Sequence, residues 1–482
     1  MAQARGRTGA GLAHGPCAER PGNLADASPR VLPLSPIARD TIMPHSVAHS
    51  KHKRSHSMNT LALRLYGKND LRLEKFDLPA LGEDEILADI VSNSICMSDH
   101  KAAAQGPDHK RVPKDVDRRP IILGHEFCGR ILQVGRKAAG KFKPGQKYSI
   151  QPQLNIPGKE HMAPGYSFHS IGGQATRIII PREVMELDCL LTYDGDAFFK
   201  GSLAEPVCCI IGAYKTNYHY KPGEYVHQMG LKSGGSLVIL AGAGPMGLSA
   251  VDLALHGENR PARLVVTDID ASRLDRAAAI FPVAVARAAG IDLQYVNTAA
   301  SSDPVAAIKA ANGGRGFDDV LVFAPVPALV EQASALLGYN GCLNFFAGPS
   351  KPDFKAAMNF YDVHYMGHHV VGSSGGNTED LRDALRLSAA GKINPSVMVT
   401  HVGGIDSAAQ TTLDLPKVPG GKRLVYTHFS MPMTAIADFG KLGTTDPLFA
   451  ALAEICNRNN GLWATEAEHY LLKHGKRLEA DA

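Results

Sequence analysis

The chain has 482 residues, 44% hydrophobic and 20% charged, which is enough for two or three domains with their own cores. Lys and Arg number 51 against 47 Asp and Glu, and the excess sits in residues 1–57, which hold eight basic and three acidic side chains. The remainder is close to neutral, so the basic excess says nothing about nucleic-acid binding, and no apolar run is long enough to cross a membrane.

Residues 1–57 are rich in Gly, Pro, Ala, Arg and His, show no sustained period and end in the solvated cluster KHKRSHS. They predict a disordered basic extension without an apolar signal core, and favour an upstream translation start over a targeting role. From Leu61 to about Pro181 the chain reads as short strands: LALRLYG, RLEKFDLP, EILADIVSNSIC, GRILQVG, GQKYSI and ATRIIIP, each bounded by Gly, Pro or Asp. Around Leu203 to Tyr220 the pattern becomes helical. From Ser236 to about Gly391 strands alternate with helices, and the strands (SLVILAG, RLVVTDID, LQYVNT, DDVLVFAP, CLNFFAGP, HHVVGSS) are near-continuously apolar. That predicts an α/β fold with a parallel sheet buried on both faces. Strand patterns return in VMVTHVG and RLVYTHF, and a helical tail with the single tryptophan, Trp463, starts at about Thr434. The expected divisions are 58–225, β-rich; 226–392, parallel sheet; and 393–482, returning to the first body and closing with the tail.

The eight cysteines form no C-x2-C pair, which fits a reducing cytoplasm rather than a disulfide framework. AGAGPMG places Gly242, Gly244 and Gly247 after a strand and at the start of a helix, with Pro245 and Met246 between. There the first glycine permits a tight turn, the second lets a pyrophosphate approach, and the third lets helix and strand pack closely. Free N–H groups and the helix dipole then face the diphosphate. Asp268 ends the next strand, where a carboxylate binds ribose hydroxyls and favours NAD(H). Nearby Arg273 leaves NADP(H) open, and Asp268 as a helix N-cap is the structural alternative.

Three upstream features suggest a metal. Cys96-Met97-Ser98-Asp99 follows an apolar strand, Gly124-His125-Glu126 follows PIIL, and Glu205-Pro206 opens a helical stretch. Thiolate, imidazole and one or two carboxylates suit zinc with a position left open for water or substrate. Taken singly, each has a plainer reading: a buried thiol, a hydrogen-bonded His-Glu pair, an acid in a first helical turn.

Together, Cys96-x-Ser98-Asp99, Gly124-His125-Glu126, the Lys143–Gln146 turn and the Gly242–Gly247 loop, in that order, resemble the zinc-containing medium-chain dehydrogenases. The resemblance covers roughly residues 58–430. SLAEPVCCIIGAY (Ser202 to Tyr214), GCLNFFAGP (Gly341 to Pro349), NFYDVHY (Asn359 to Tyr365) and MPMTAIADF (Met431 to Phe439) resemble sugar-phosphate reductases of that family and extend the likeness into the tail. It implies a GroES-like catalytic domain, closed by the C-terminal strands, beside a Rossmann doubly wound cofactor domain. By position it implies Cys96 and His125 as zinc ligands, with Glu126 or Glu205 as the third, Glu205 directly or through water. It also implies Ser98 in a proton relay and Asp99 orienting His125. The structural-zinc cysteine lobe is missing, so one catalytic zinc per chain is expected. The relay histidine of that family is replaced by Lys101, with His100 one position early, so the proton route beyond Ser98 departs from the family pattern.

The implied reaction reduces a ketose phosphate to a polyol phosphate with NAD(P)H, or the reverse. Lys101, His109, Lys110 and Arg111 are candidate phosphate donors in what reads as a Lys101–Pro120 loop, the alternative being a solvated surface loop. Tyr166 and His169 are candidate pocket residues. A dehydrogenase of a free polyol or amino alcohol, and a non-catalytic nucleotide-binding relative, are the competing readings. A homo-oligomer is expected, without nucleic-acid or membrane partners.

Overall fold

In the chain from Met58 onward, alternating apolar residues build strands wherever one face can be buried. The computed structural model describes residues 58–221 and 223–478; the expectation for residues 1–57 lies outside the described residues. The strands of the first body are β1 (Met58–Gly67), β2 (Asp70–Leu78), β3 (Ile86–Asp89), β4 (Ser92–Ile95), β5 (Ile121–Ile122), β6 (Glu126–Val134), β7 (Lys147–Ile150), β8 (Arg177–Ile180) and β9 (Leu190–Thr192). EILADIVSNSIC, read as one strand, is two. Both pieces pair with β6, but the neighbour on the other side changes: β3 lies against β8, whereas β4 lies against a strand formed by residues 422–426.

A short hairpin, β10 (Tyr218–Tyr220) and β11 (His227–Met229), leads into β12 (Ser236–Leu240), β13 (Arg263–Asp268), β14 (Asp292–Asn297), β15 (Phe317–Val322), β16 (Leu337–Phe345) and β17 (His369–Gly372). These last six form one parallel sheet in the order β14-β13-β12-β15-β16-β17. Numbered from β12, that order is 3-2-1-4-5-6, the dinucleotide-binding arrangement. Its central strands are apolar because helices cover both faces: Leu237 and Ile239 enter one core, Val238 and Leu240 the other.

The chain then returns. β18 (Val399–Gly404), β19 (Lys422–Tyr426) and β20 (Thr434–Ala435) extend the first body's sheet, with β19 antiparallel to β4. Helices Pro447–Arg458 and Thr465–His474 close over it, and Trp463 is buried against Tyr426 and Phe439. Glu468, fully buried, accepts the backbone N–H groups of Phe198 and Phe199 at 2.5 and 2.8 Å and the Tyr426 hydroxyl at 2.8 Å. A tail carboxylate thus satisfies the orphan donors opening helix Phe198–Ser202, 270 residues away in sequence.

Buried Asp319 receives Asn217 Nδ2 at 2.7 Å, lies 3.1 Å from His219 Nε2 and accepts Lys232 N–H at 2.9 Å. Burial disfavours the charged His219 ring, but the bond to Asp319 outweighs it and raises the imidazole above its ordinary range. A raised folded-state value adds stability that is full below the unfolded pKa and lost as pH rises through the folded one. Urea midpoints at pH 6 and pH 9 should therefore differ more for the native chain than for His219→Gln. Equal differences would contradict the assignment.

Candidate active site

β4 ends at Ile95, and Cys96 is the N-cap of helix Met97–Gln105. Asp99, in the helix's first turn, is fully buried. Its Oδ2 accepts the backbone N–H of Cys96 at 2.9 Å, and its Oδ1 lies 2.9 Å from His125 Nδ1. One carboxylate therefore closes the helix start and orients the ring, which puts a proton on Nδ1 and turns Nε2 toward Glu126, 4.0 Å from its Oε1. Gly124, just before, has φ +94°, and a Cβ there would come within 3.0 Å of the Gln174 backbone nitrogen. Glycine alone lets the chain turn His125 inward so close to its neighbours.

The sulfur of Cys96, a ring nitrogen of His125 and a carboxylate oxygen of Glu126 all lie within 4.8 Å of one another. Lys422, buried at the start of β19, pairs with Glu126 Oε1. The other oxygen, Glu126 Oε2, is buried without a hydrogen-bond partner. A buried, unpartnered carboxylate oxygen beside a thiol and an oriented imidazole is what a zinc-sized cation would satisfy, so these residues fit the metal. Glu205, nine-tenths buried at the start of helix Ala204–Thr216, stands outside this tight group. It is near enough to act on His125 electrostatically, and burial pushes its carboxyl up. Burial works against charge on His125 too, but Asp99 overrides it and the ring is held well above its ordinary value. Likewise Lys422 is raised against its burial by Cys96 and Glu126. The pocket attracts positive charge.

Sequence reasoning missed Lys422. A lysine opening a strand reads as a solvated end, and its partner is 296 residues away.

Ser98 is half-buried on the same helix and accepts the Tyr166 hydroxyl at 2.8 Å. That hydroxyl is also 3.0 Å from His125 Nδ1, and burial holds the Tyr166 phenol well above its usual range. His169, the other aromatic candidate, turns to the surface, with its Nε2 3.4 Å from Arg119. His100 is tied to the Thr412 carbonyl at 3.0 Å.

The phosphate candidates are not all on a loop. Lys101 is helical, and its ammonium donates to the Gly348 carbonyl at 3.0 Å, bridging to the segment after β16. His109 stacks on Tyr166 at 5.9 Å, and the Arg111 guanidinium lies 5.3 Å from the same ring. Lys110 is exposed. Burial, then Arg111, Lys110 and Lys101, press His109 down to about 4, so it is neutral. Among the described residues no carboxylate pairs with Lys101, Lys110 or Arg111.

At the glycine loop the tight turn falls on Ala241, whose φ is +54°, and not on Gly242. Gly242 is required for space instead, since a Cβ there would meet the Ile239 carbonyl at 2.8 Å. At Gly247 a Cβ would be 2.3 Å from the Gly242 carbonyl, so helix Pro245–His256 rests directly on the turn. A Cβ at Gly244 would meet nothing nearer than the Ala241 carbonyl at 4.0 Å, so this side of its backbone is open to a diphosphate. Pro245 opens the helix and Met246 packs on the core. Asp268, buried at the end of β13, accepts the N–H of Ile269 at 2.9 Å and Asp270 at 3.1 Å through Oδ1. Oδ2 makes no hydrogen bond among the described residues. The N-cap of the next helix is Asp270, not Asp268, and Asp270 also pairs with Arg273 at 3.7 Å.

Two family profiles match the chain: alcohol dehydrogenase GroES-like domain over residues 82–188, and zinc-binding dehydrogenase over 245–390. The chain belongs to the zinc-binding dehydrogenase family and is an oxidoreductase, with a GroES-like and a Rossmann-like domain. It is 51% identical to L-sorbose 1-phosphate reductase of Klebsiella pneumoniae, over 88% of this chain and 99% of that one. It is 48% identical to mannitol-1-phosphate 5-dehydrogenase of Aliivibrio fischeri, over 86% and 97%. Alcohol dehydrogenase of Thermotoga maritima shares the fold at TM-score 0.62 and 20% identity, covering 77% of this chain and 100% of that one. A Sinorhizobium meliloti 1021 protein solved with NADP bound gives TM-score 0.62 at 22% identity, covering 77% and 99%.

Proposed function

We propose that this chain interconverts a ketose phosphate and a polyol phosphate, of the L-sorbose 1-phosphate to D-glucitol 6-phosphate type, using zinc and NAD(P)H. The carrying observation is Arg111, a cation without a carboxylate partner over Tyr166, with Lys110 and Lys101 near enough to act on the stacked His109, beside the Cys96–His125–Glu126 group. The names of the two sugar-phosphate relatives support the same substrate class.

Cys96 and His125 hold the metal, with Glu126 or Glu205 completing the set, and one zinc per chain is proposed. Bound there, zinc supplies Lewis acidity toward the substrate oxygen and the nicotinamide supplies or takes the hydride. Asp99 keeps the His125 ring oriented, and Lys422 keeps Glu126 in place. Ser98 passes a proton to the oxygen as the carbonyl becomes an alcohol and is reprotonated from solvent; in reverse it takes that proton and returns one to solvent. Gly242, Gly244 and Gly247 seat the diphosphate, with Pro245 and Met246 opening the helix behind it. The free Oδ2 of Asp268 supports NAD(H) over NADP(H), because a carboxylate repels a 2′-phosphate; Arg273 is engaged by Asp270. Arg111 and Lys110 hold the substrate phosphate, with Lys101 at the rim and neutral His109 as a packing and hydrogen-bonding wall.

The division 58–225, 226–392 and 393–482 is proposed on the change of sheet at β12 and the return at β18. The free thiols support a cytoplasmic setting. Exposed Val370 on edge strand β17, with exposed Phe360, Tyr361 and Tyr365 in the helix before it, supports a homo-oligomer.

NADH oxidation should be compared with L-sorbose 1-phosphate and L-sorbose. The phosphate ester is expected to give the higher kcat/KM, and Arg111→Ala should raise its KM by roughly 10- to 100-fold. Lack of preference for the ester would overturn the substrate class in favour of a free polyol.

A further inference from the structure

We propose that Tyr166 is a positioning residue for the reaction: its hydroxyl, held between His125 and Ser98, aims the Ser98 proton at the substrate oxygen. The inference rests on the reading of Ser98 as proton donor.

The geometry is directional. His125 Nδ1 carries a proton, because Asp99 Oδ1 at 2.9 Å accepts. The Tyr166 oxygen lies 3.0 Å from Nδ1 and 3.5 Å from Nε2, beside the ring and out of line with that proton, and its own O–H is directed away from the ring. It points to Ser98 Oγ, 2.8 Å away. With an incoming bond filling one Ser98 lone pair, the Ser98 O–H is left to donate outward, toward the cleft. A free serine rotates among three staggered wells, and only one of them serves the reaction.

The ring is locked as well as the hydroxyl. Tyr166 is 2% exposed, stacked on His109 and tilted over His125 at 5.0 Å. Gly165, just before it, has φ +80°, and a Cβ there would lie 2.1 Å from the Gly124 carbonyl. The backbone before Tyr166 therefore rests on the backbone before His125, and the two side chains move together. Such a fixed donor compensates for the relay histidine missing at Lys101, since His100 is spent on the Thr412 carbonyl.

The test uses the full-length, zinc-loaded enzyme, with turnover expressed per bound zinc. Tyr166→Phe keeps the ring and removes the hydroxyl. The expected result is a kcat lowered by roughly 10- to 100-fold, with KM changed less than about twofold. The solvent isotope effect on kcat should rise, because the misaligned proton becomes harder to deliver. The absorption spectrum of the cobalt-substituted variant should match that of the native chain. Adding Tyr166→Phe to Ser98→Ala should cost nothing more, since the two act as one unit. A crippled Ser98→Ala beside a normal Tyr166→Phe would overturn this inference alone. A normal Ser98→Ala would overturn the proton-donor reading and this inference with it. Independent, multiplying losses would show that Tyr166 acts other than through Ser98, and so overturn the proposal.

Discussion

Cys96→Ala is expected to lose its bound zinc and nearly all turnover. The thiol is one of three donors within 4.8 Å, and the other two cannot enclose a tetrahedral ion alone. Several kcal/mol of charge stabilisation at the substrate oxygen go with the metal, so kcat should fall by about a thousandfold. The fold should survive, because Cys96 is half-buried and the helix start is held by Asp99 on the backbone N–H, which alanine retains. Zinc content by atomic absorption and NADH oxidation check this together. Stoichiometric zinc with unchanged turnover in the variant would remove Cys96 from the site.

Glu468→Ala is expected to be among the most destabilising single changes in the tail. The carboxylate takes three hydrogen bonds inside the core, from Phe198 N, Phe199 N and the Tyr426 hydroxyl. Removing it strands two backbone donors and unseats a tyrosine that also accepts the Trp463 indole at 2.8 Å. Buried polar groups left without partners cost about 1–3 kcal/mol each, so a loss of roughly 3 kcal/mol or more is expected. Glu468→Gln keeps one acceptor and should lose less. Thermal unfolding with Trp463 fluorescence reads both variants, and a Glu468→Ala midpoint equal to that of the native chain would refute the anchoring role. Its carboxyl is raised by burial, so it tolerates neutrality better than an exposed acid, which is why alanine and glutamine should separate.

Much of this was legible in the chain. The apolar runs from SLVILAG to HHVVGSS dictated a parallel sheet, because only a strand buried on both faces is apolar along its whole length. The glycine spacing marked the turn and helix beneath the diphosphate, since each glycine answers a local steric demand. Cys96 and His125 stood out because they sit in short motifs next to strands. Tertiary structure decided the rest, through pairings between residues far apart in sequence. Lys422 meets Glu126 only when β19 lies against β4, whose neighbour is β6. Glu468 reaches the Phe198 helix only when the tail folds back. Of the two candidates in PGYSFHSIGG, Tyr166 turned in and His169 out, a choice fixed by how Gly165 rests on Gly124. Local sequence specifies hydrophobic period and turn chemistry, whereas a buried charge or hydroxyl takes its partner from whichever strand the topology brings beside it.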